Sequence, residues 1–162
     1  MNTVGQSKPT GSILVLTDFS NGAKNAADYA KDLAQKVHAN MILFHAYLIP
    51  DVGFDSWPSS DEGSLLKQSQ LKLAEETTRL CHNFKNPEGA FKPEIVAMSI
   101  EGSIAENVIA IIKDKQDVLM VIMGGGKANG KQDMRFGIAI TEVLNNVKCP
   151  TLIVPQAEYL TF

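Results

Sequence analysis

Hydrophobic residues along this chain gather in short runs that are separated by longer stretches of mixed character. Residues 118–123 are six apolar side chains without a break. A strand can be so uniformly apolar only when both of its faces are covered, as in a parallel sheet between helix layers. The other predicted strands are Ile13–Leu16, Met41–Tyr47, about Lys92–Ile100 and Thr151–Val154.

Between the runs, apolar residues recur every three or four positions, which predicts amphipathic helices. The first extends from Ala23 to Val37, and its alanine-rich face indicates close packing against a sheet. Three more are predicted at about residues 60–84, 103–115 and 136–147. Five strands that alternate with four helices predict a doubly wound parallel sheet, because each right-handed crossover lays its helix on one face.

Cap signals support these helix boundaries. Ser20 is placed to accept a hydrogen bond from the first turn of the first helix. Asn40 is expected to end that helix in the left-handed conformation. Two further sites have the spacing of a capping box, Ser59 with Glu62 and Ser103 with Glu106.

Composition and charge restrict the function. The 162 residues, 44% hydrophobic and 20% charged, suit one globular domain. We expect it over residues 12–157, between flexible tails at 1–11 and 158–162. A formal net charge of -3 argues against general nucleic-acid binding. The N-terminus lacks the apolar segment of a signal peptide, and no window reaches the about 20 apolar residues of a membrane span, so we expect a cytoplasmic protein without nucleic-acid or membrane partners.

Two local features carry less information. Cys81 and Cys149 have neither zinc-ligand nor disulfide-framework spacing, which favours reduced structural thiols. Residues 48–62 form a long irregular connection that contains the only tryptophan. Its aromatic residues, Phe54 and Trp57, either fold over the sheet edge or a ligand or, as we favour, pin their own loop.

The strongest chemical signal is a glycine run directly after the fourth predicted strand. Gly124, Gly125 and Gly126 free the backbone and let a ligand approach closely, while the following helix turns its unpaired N–H groups to the same place. An α/β sheet binds phosphate at such a loop. The sequence therefore predicts a phosphate site at the carboxyl end of this strand.

Four stretches together resemble the universal stress protein family over residues 12–155. They are ILVLTDFS at 13–20, LFHA at 43–46, EGSIAENVIAIIK at 101–113, and the stretch from VIMGGG to CPTLIVP at 121–155. The resemblance implies a Rossmann-like, adenine nucleotide alpha hydrolase-like fold with strand order 3-2-1-4-5, and commonly a homodimer joined through the last strand. Family members divide into those that bind ATP and those that do not.

ATP-binding members carry a glycine, two residues, a second glycine, nine residues, and a glycine followed by serine or threonine. On this chain those positions are Gly124, Lys127, residues 128–136, Gly137 and Ile138, so that two of the four motif positions depart. Ile138 removes a hydroxyl donor to phosphate, a charge-assisted bond worth about 1.5–3 kcal/mol. Affinity for a nucleotide should therefore fall, but it need not vanish.

The basic residues of this loop have two interpretations. The ammonium of Lys127 could pair with phosphate, as could Lys131 or Arg135. Alternatively, the three side chains form a solvated basic loop. The sequence does not decide between these alternatives.

Asp18 ends the first strand and faces the crevice beside the fourth, where doubly wound sheets place ligands. By resemblance, Asp18 would meet the adenosine of a nucleotide, with Thr17 and Met41 lining the pocket. Met123 would present its backbone near the base. The alternative for Asp18 is a turn residue that satisfies backbone N–H groups. The full set of nucleotide-binding residues implied by the resemblance is Thr17, Asp18, Met41, Met123, Gly124, Gly126, Lys127, Gly137 and Ile138.

Evidence for a metal site or for catalysis is weak. His45 lacks a second histidine at ligand spacing, which favours a buried, hydrogen-bonded imidazole over a metal site. The chain has no nucleophile elbow and no intact P-loop. Asp18 and Asp133 are the sensible candidate bases near the phosphate loop, and no metal clamp for phosphoryl transfer is evident. We expect no enzyme, with slow ATP hydrolysis left open.

Two functional hypotheses follow. The favoured one is a homodimeric stress-response module with a degenerate nucleotide pocket that acts through contacts with an unknown protein partner. It is favoured because Lys127 and Ile138 alter the loop where phosphates would rest. The alternative is a sensor or regulator that binds ATP or AMP through the Gly124–Gly137 loop, with magnesium present only together with the nucleotide.

Overall fold

The computed structural model describes residues 8–48, 61–84, 89–125, 127–128, 131–132 and 141–155. Its strands and helices follow the alternation predicted from the sequence. In chain order they are β1 (Ser12–Leu16), α1 (Asn21–Val37), β2 (Asn40–Tyr47), α2 (Asp61–His82), β3 (Ile95–Glu101), α3 (Ile104–Lys115), β4 (Val118–Gly124), β5 (Lys127–Ala128), β6 (Lys131–Gln132), a helical segment α4 at residues 141–146, and β7 (Thr151–Val154).

Five parallel strands form the main sheet, in the order β3-β2-β1-β4-β7. This arrangement confirms the doubly wound sheet and the 3-2-1-4-5 order. β1 lies at the centre, where Leu14 pairs with Ile42 of β2 on one edge and with Val121 of β4 on the other. Helices cover both faces of the sheet, so Leu14 and its neighbours on β1 are fully buried. This burial explains why residues 13–16 are all apolar.

The two faces of the sheet build two separate cores. Ile13 and Val15 point to the face that is covered by α1 and α2, whereas Leu14 and Leu16 point to the face covered by α3 and by Val143 of α4. The alanine-rich side of α1 is buried, so the helix lies close to the sheet as predicted. None of the described helices has the combination of length and apolar composition needed to cross a membrane.

The predicted serine caps are confirmed where the structure describes them. Ser20 Oγ accepts from the N–H of Ala23 at 3.2 Å, and Ser103 Oγ accepts from that of Glu106 at 3.4 Å. Ser59 lies outside the described residues. The prediction for Asn40 is wrong, because α1 already ends at His38, whose φ of 58° and ψ of 43° are left-handed.

The N-terminal segment joins the domain earlier than expected. The N–H of Thr10 donates to the carbonyl of His38 at 2.8 Å. A Cβ built on the buried Gly11 would lie 2.5 Å from the carbonyl oxygen of Asp117, so the backbone there is packed too closely for a side chain. Thr10 and Gly11, which the sequence assigns to a flexible tail, are therefore held against the domain.

A small antiparallel hairpin follows the glycine run, where the sequence predicts a loop that leads directly into a helix. β5 and β6 pair Lys127 with Gln132 and Ala128 with Lys131. The sequence between the two strands reads Asn-Gly, a dipeptide that predicts a hairpin when it separates two strands. The aromatic residues Phe54 and Trp57 lie outside the described residues.

Both cysteines are free in the structure. Cys149 is partly buried, and its Sγ lies 3.7 Å from the carbonyl oxygen of Val118. Burial raises the pKa of this thiol. Cys81 is exposed on α2.

An ion-pair cluster joins the two helices on one face of the sheet. Arg79 of α2 donates to Asp28 of α1 at 2.9 Å and also pairs with Glu76, whose side chain is 4% exposed. A nearly buried carboxylate is stable as a charge only when it is paired. Arg79 therefore neutralises Glu76 and at the same time fixes α2 against α1.

Replacing Arg79 by methionine should lower the free energy of unfolding by about 2–4 kcal/mol, because it leaves the Glu76 carboxylate buried without its partner. Urea denaturation measures the change. Lys67→Met removes an exposed cation from the same helix and is the matched control. Equal losses in the two variants would mean that the cluster does not stabilise the fold.

Candidate functional site

The carboxyl ends of β1 and β4 lie side by side at one edge of the sheet. Val15 of β1 pairs with Ile122 of β4, so Asp18, shortly after β1, and Gly124, at the end of β4, emerge at the same edge. The connections after these two strands run to opposite sides of the sheet, and ligands of doubly wound folds bind at such a switch point. The structure thus brings Asp18 and Gly124 to the same end of the sheet. We call the space outside these two strand ends the crevice.

The turn between β1 and α1 is held by consecutive side-chain hydrogen bonds. The hydroxyl of the buried Thr17 accepts from the N–H of Phe19 at 3.0 Å, and Asp18 Oδ1 accepts from that of Ser20 at 2.9 Å. Asp18 therefore does act as a turn residue. Its side chain is nevertheless exposed, and a carboxylate can accept several further hydrogen bonds. The turn role and a ligand role are compatible.

Phe19 occupies an unusual backbone conformation in this turn. Its φ is 65°, in the left-handed region that a bulky side chain rarely adopts. Its ring lies 4.6 Å from the ring of His45, measured between centroids, and the Nζ atom of Lys72 lies 5.6 Å from its centroid. These contacts offset the strain that the backbone carries.

His45 is a partly buried, hydrogen-bonded imidazole, and the prediction of such an environment is confirmed. Its Nδ1 lies 2.6 Å from the hydroxyl of Ser69, which also hydrogen-bonds Ser99. Burial and then the charge of Lys72 lower the pKa of His45, while Asp18 acts in the opposite direction. Within the described residues, no group of three histidine, cysteine or carboxylate side chains is arranged to hold a metal ion.

Met41 does not lie near this crevice. It pairs with Ile13 near the amino end of the sheet and is fully buried, so the expectation that it lines the pocket is not met. Asp18 follows Ile13, the partner of Met41, by five residues, which is about 16 Å at the rise of a β-strand. Leu16 pairs with Phe44, and continuing this register places Ala46 level with Asp18. Ala46 is therefore the β2 residue nearest to the crevice.

Packing within the fold explains two of the β4 residues expected at the site, Met123 and Gly124. Met123 is fully buried, so it offers a ligand its backbone rather than its side chain. A Cβ built on Gly124 would lie 2.5 Å from the carbonyl oxygen of Gly22 in α1. The N–H of Gly125 already donates to the carbonyl of Val154 at 2.8 Å. This strand–helix packing requires glycine at 124 whether or not a phosphate binds.

The rest of the predicted loop is not described. Gly126, Gly137 and Ile138 lie outside the described residues, as do Arg135 and the candidate base Asp133. For the two lysines of the hairpin, Lys127 and Lys131, the structure describes the strand pairing and not the side chains.

The comparisons with known proteins agree on one family. A model described as the universal stress protein family matches residues 10–155. No curated protein sequence matches the chain significantly. Because the matched range covers nearly the whole chain, it includes both sides of the crevice.

Solved structures share the fold at low sequence identity. A universal stress protein family structure from Burkholderia pseudomallei has a TM-score of 0.67 at 18% identity, covering 96% of this chain and 99% of its own. A universal stress protein in complex with cAMP has a TM-score of 0.60 at 16% identity, covering 92% and 99%. One from Archaeoglobus fulgidus in complex with dAMP has a TM-score of 0.58 at 13% identity, covering 92% and 98%.

Replacing Gly124 by alanine should destabilise the nucleotide-free protein by about 1–3 kcal/mol, because the new methyl group meets the backbone of Gly22. Thermal or urea unfolding measures the loss. The control is Gly63→Ala in α2, where a built Cβ has no atom within 4 Å. That change should be neutral or stabilising by about 0.5–1 kcal/mol. If Gly124→Ala were as stable as the natural protein, the close packing of β4 on α1 would be disproved.

Proposed function

The chain belongs to the universal stress protein family, and on this premise we propose that it is a regulatory binding module whose crevice takes an adenine mononucleotide. The observation that supports the proposal most strongly is the exposed carboxylate of Asp18 on the same edge of the sheet as Gly124. Relatives of the same fold have been solved with cAMP and dAMP, each of which carries a single phosphate.

Asp18 would recognise the sugar. Ribose hydroxyls donate hydrogen bonds, and an ionised carboxylate is a strong acceptor for them. The side chains of Thr17 and Asp18 accept hydrogen bonds from the turn backbone, and these bonds hold the carboxylate in position before a ligand arrives. Preorganisation of this kind lowers the entropic cost of binding. The base would then lie toward Ala46 and the backbone of Met123.

A single phosphate fits this chain better than three. The family motif places a hydroxyl where this sequence has Ile138, so one phosphate donor is lost. The N–H of Gly125 is committed to β7 and offers no further donor. ATP, with magnesium bound only together with the nucleotide, would therefore bind more weakly than AMP or cyclic AMP.

We propose that the module is not an enzyme. Phosphoryl transfer requires a metal clamp and a positioned base, and the sequence has no intact P-loop. Binding would instead be communicated through protein contacts.

A second observation favours a protein-contact function, including homodimer formation. β7 lies at the edge of the sheet, and Ile153 on this strand is 47% exposed. An apolar edge strand gains from a partner strand that covers its backbone groups. We therefore propose a homodimer joined through β7, and a further protein partner that responds to nucleotide binding.

Isothermal titration calorimetry with cyclic AMP, AMP and ATP tests the nucleotide proposal. Asp18→Asn should weaken binding of all three by about tenfold to a hundredfold, the value of a hydrogen bond to a charged group. Asparagine keeps an oxygen for the N–H of Ser20, so the turn should survive. Asp114→Asn removes an equal charge from an exposed position on α3 and should leave affinity unchanged. Absence of heat with all three nucleotides in the natural protein would refute nucleotide binding and leave the protein-contact function.

Ile138→Ser tests why the triphosphate is disfavoured. Restoring the hydroxyl should strengthen ATP binding by about tenfold, because it adds a charge-assisted donor, and should change cyclic AMP binding little. Ile138→Ala separates removal of bulk from addition of the hydroxyl. Equal gains in the serine and alanine variants would mean that side-chain size, and not the missing donor, limits ATP.

A further inference from the structure

His45 links three structural elements to the turn that carries Asp18. It lies on β2 and hydrogen-bonds Ser69 of α2, which in turn hydrogen-bonds Ser99 of β3. On its other side, the imidazole ring packs against the ring of Phe19, the residue directly after Asp18. A change at His45 can therefore reach the turn through a direct contact.

The serine chain depends on the protonation state of His45. Ser69 is 2% exposed, and its hydroxyl has one proton to donate. When Nδ1 carries no proton, Ser69 can donate to it and accept from Ser99. When the ring is an imidazolium, Nδ1 carries a proton and must donate to Ser69. Protonation thus reverses the hydrogen bond between Ser69 and His45.

The charged groups around His45 favour the neutral ring. α2 contributes Lys72, which repels an imidazolium, and the turn contributes Asp18, which attracts it, while β3 contributes the uncharged hydroxyl of Ser99. Burial is the largest influence and, together with Lys72, keeps the pKa of His45 below its ordinary value. A proton on His45 therefore favours arrangements in which the ring moves toward water.

Movement of the ring would affect the strained residue of the turn. Phe19 has a positive φ that its ring contacts with His45 and Lys72 offset. The residues on either side of Phe19 are Asp18 and Ser20, whose hydrogen bond orients the carboxylate. Loss of the His45 contact would let the backbone relax and turn the carboxylate away.

We propose that neutral His45 is a positioning residue for the nucleotide crevice, which holds the Phe19 turn so that acidification releases Asp18 and weakens nucleotide binding. This inference rests on the proposed function and adds proton-linked regulation to it. The form of the protein that binds the nucleotide is the one in which His45 is uncharged. Nucleotide binding therefore strengthens as pH rises through the pKa of His45.

Calorimetry with cyclic AMP as the probe, from about pH 7.5 to about pH 5, tests the proposal. Its phosphodiester does not titrate in this range, whereas a phosphate monoester such as AMP does so at about pH 6. If only the neutral form binds, affinity should fall about tenfold one pH unit below the pKa of His45 measured by NMR. His45→Gln should bind with a flat pH profile, and His82→Gln, on exposed α2 surface, should keep the natural one.

A second pair of variants tests the charge that faces the ring. Lys72→Met should move the midpoint of the pH profile upward, because it removes a repulsive charge from beside His45. Lys67→Met, which removes an exposed lysine from the same helix, should leave the midpoint in place. An unchanged midpoint in Lys72→Met would overturn the role assigned to Lys72.

An NMR titration of the nucleotide-free protein separates this inference from the proposed function. The amide signals of Phe19 and Ser20 should follow the titration of His45 and should lose this dependence in His45→Gln. If cyclic AMP does not bind while the two amides follow His45, nucleotide binding fails and the coupling of His45 to the turn is supported. Amides that stay constant while His45 titrates, or a His45→Gln profile equal to the natural one, would overturn the coupling.

Discussion

The site depends on the position of β1, which is paired with a strand on each side and buried on both faces. The strand is hydrogen-bonded to β2 and β4 and covered on both faces, so it is fixed in register by two neighbours and two helix layers. A shift of β1 by one residue would exchange the side chains that face the two cores. It would also move the Asp18 carboxylate toward the buried sheet, and burying a charge is costly. The core thus sets the place of Asp18.

The crevice combines this fixed strand with a strained turn and a close backbone contact. Phe19 has a positive φ and its ring contacts that of His45, and Gly124 lies against the backbone of Gly22. Strain that persists because its surroundings enforce it is common at binding sites. The glycine at 124 is a different case, because packing alone explains it, so it is no evidence for phosphate. The evidence for a ligand rests instead on the exposed Asp18.

The sequence predicted the elements well because apolar runs and helical periods are local signals. The order of the strands came from family resemblance. Residue positions that depend on register were harder, as Met41 illustrates: the pairing of Leu16 with Phe44 places Ala46, five residues further on, beside the crevice. The hydrogen bonds that join His45 to Ser69 and Ser69 to Ser99 link residues far apart in the chain, and no local sequence pattern predicts them. The pairing of β5 with β6 did have a sequence signal, the Asn-Gly dipeptide between the two strands, but the adjacent glycine run favoured an open loop.

Mapping cyclic AMP onto the amide spectrum of the isotope-labelled protein tests most directly whether β1 and β4 form the ligand crevice. If the nucleotide binds there, the largest shifts should occur at Thr17–Ser20 and Met123–Gly125, with little change at Met41 near the opposite end of the sheet. Shifts concentrated around Met41 and Ile95, with the carboxyl ends of β1 and β4 unaffected, would contradict it.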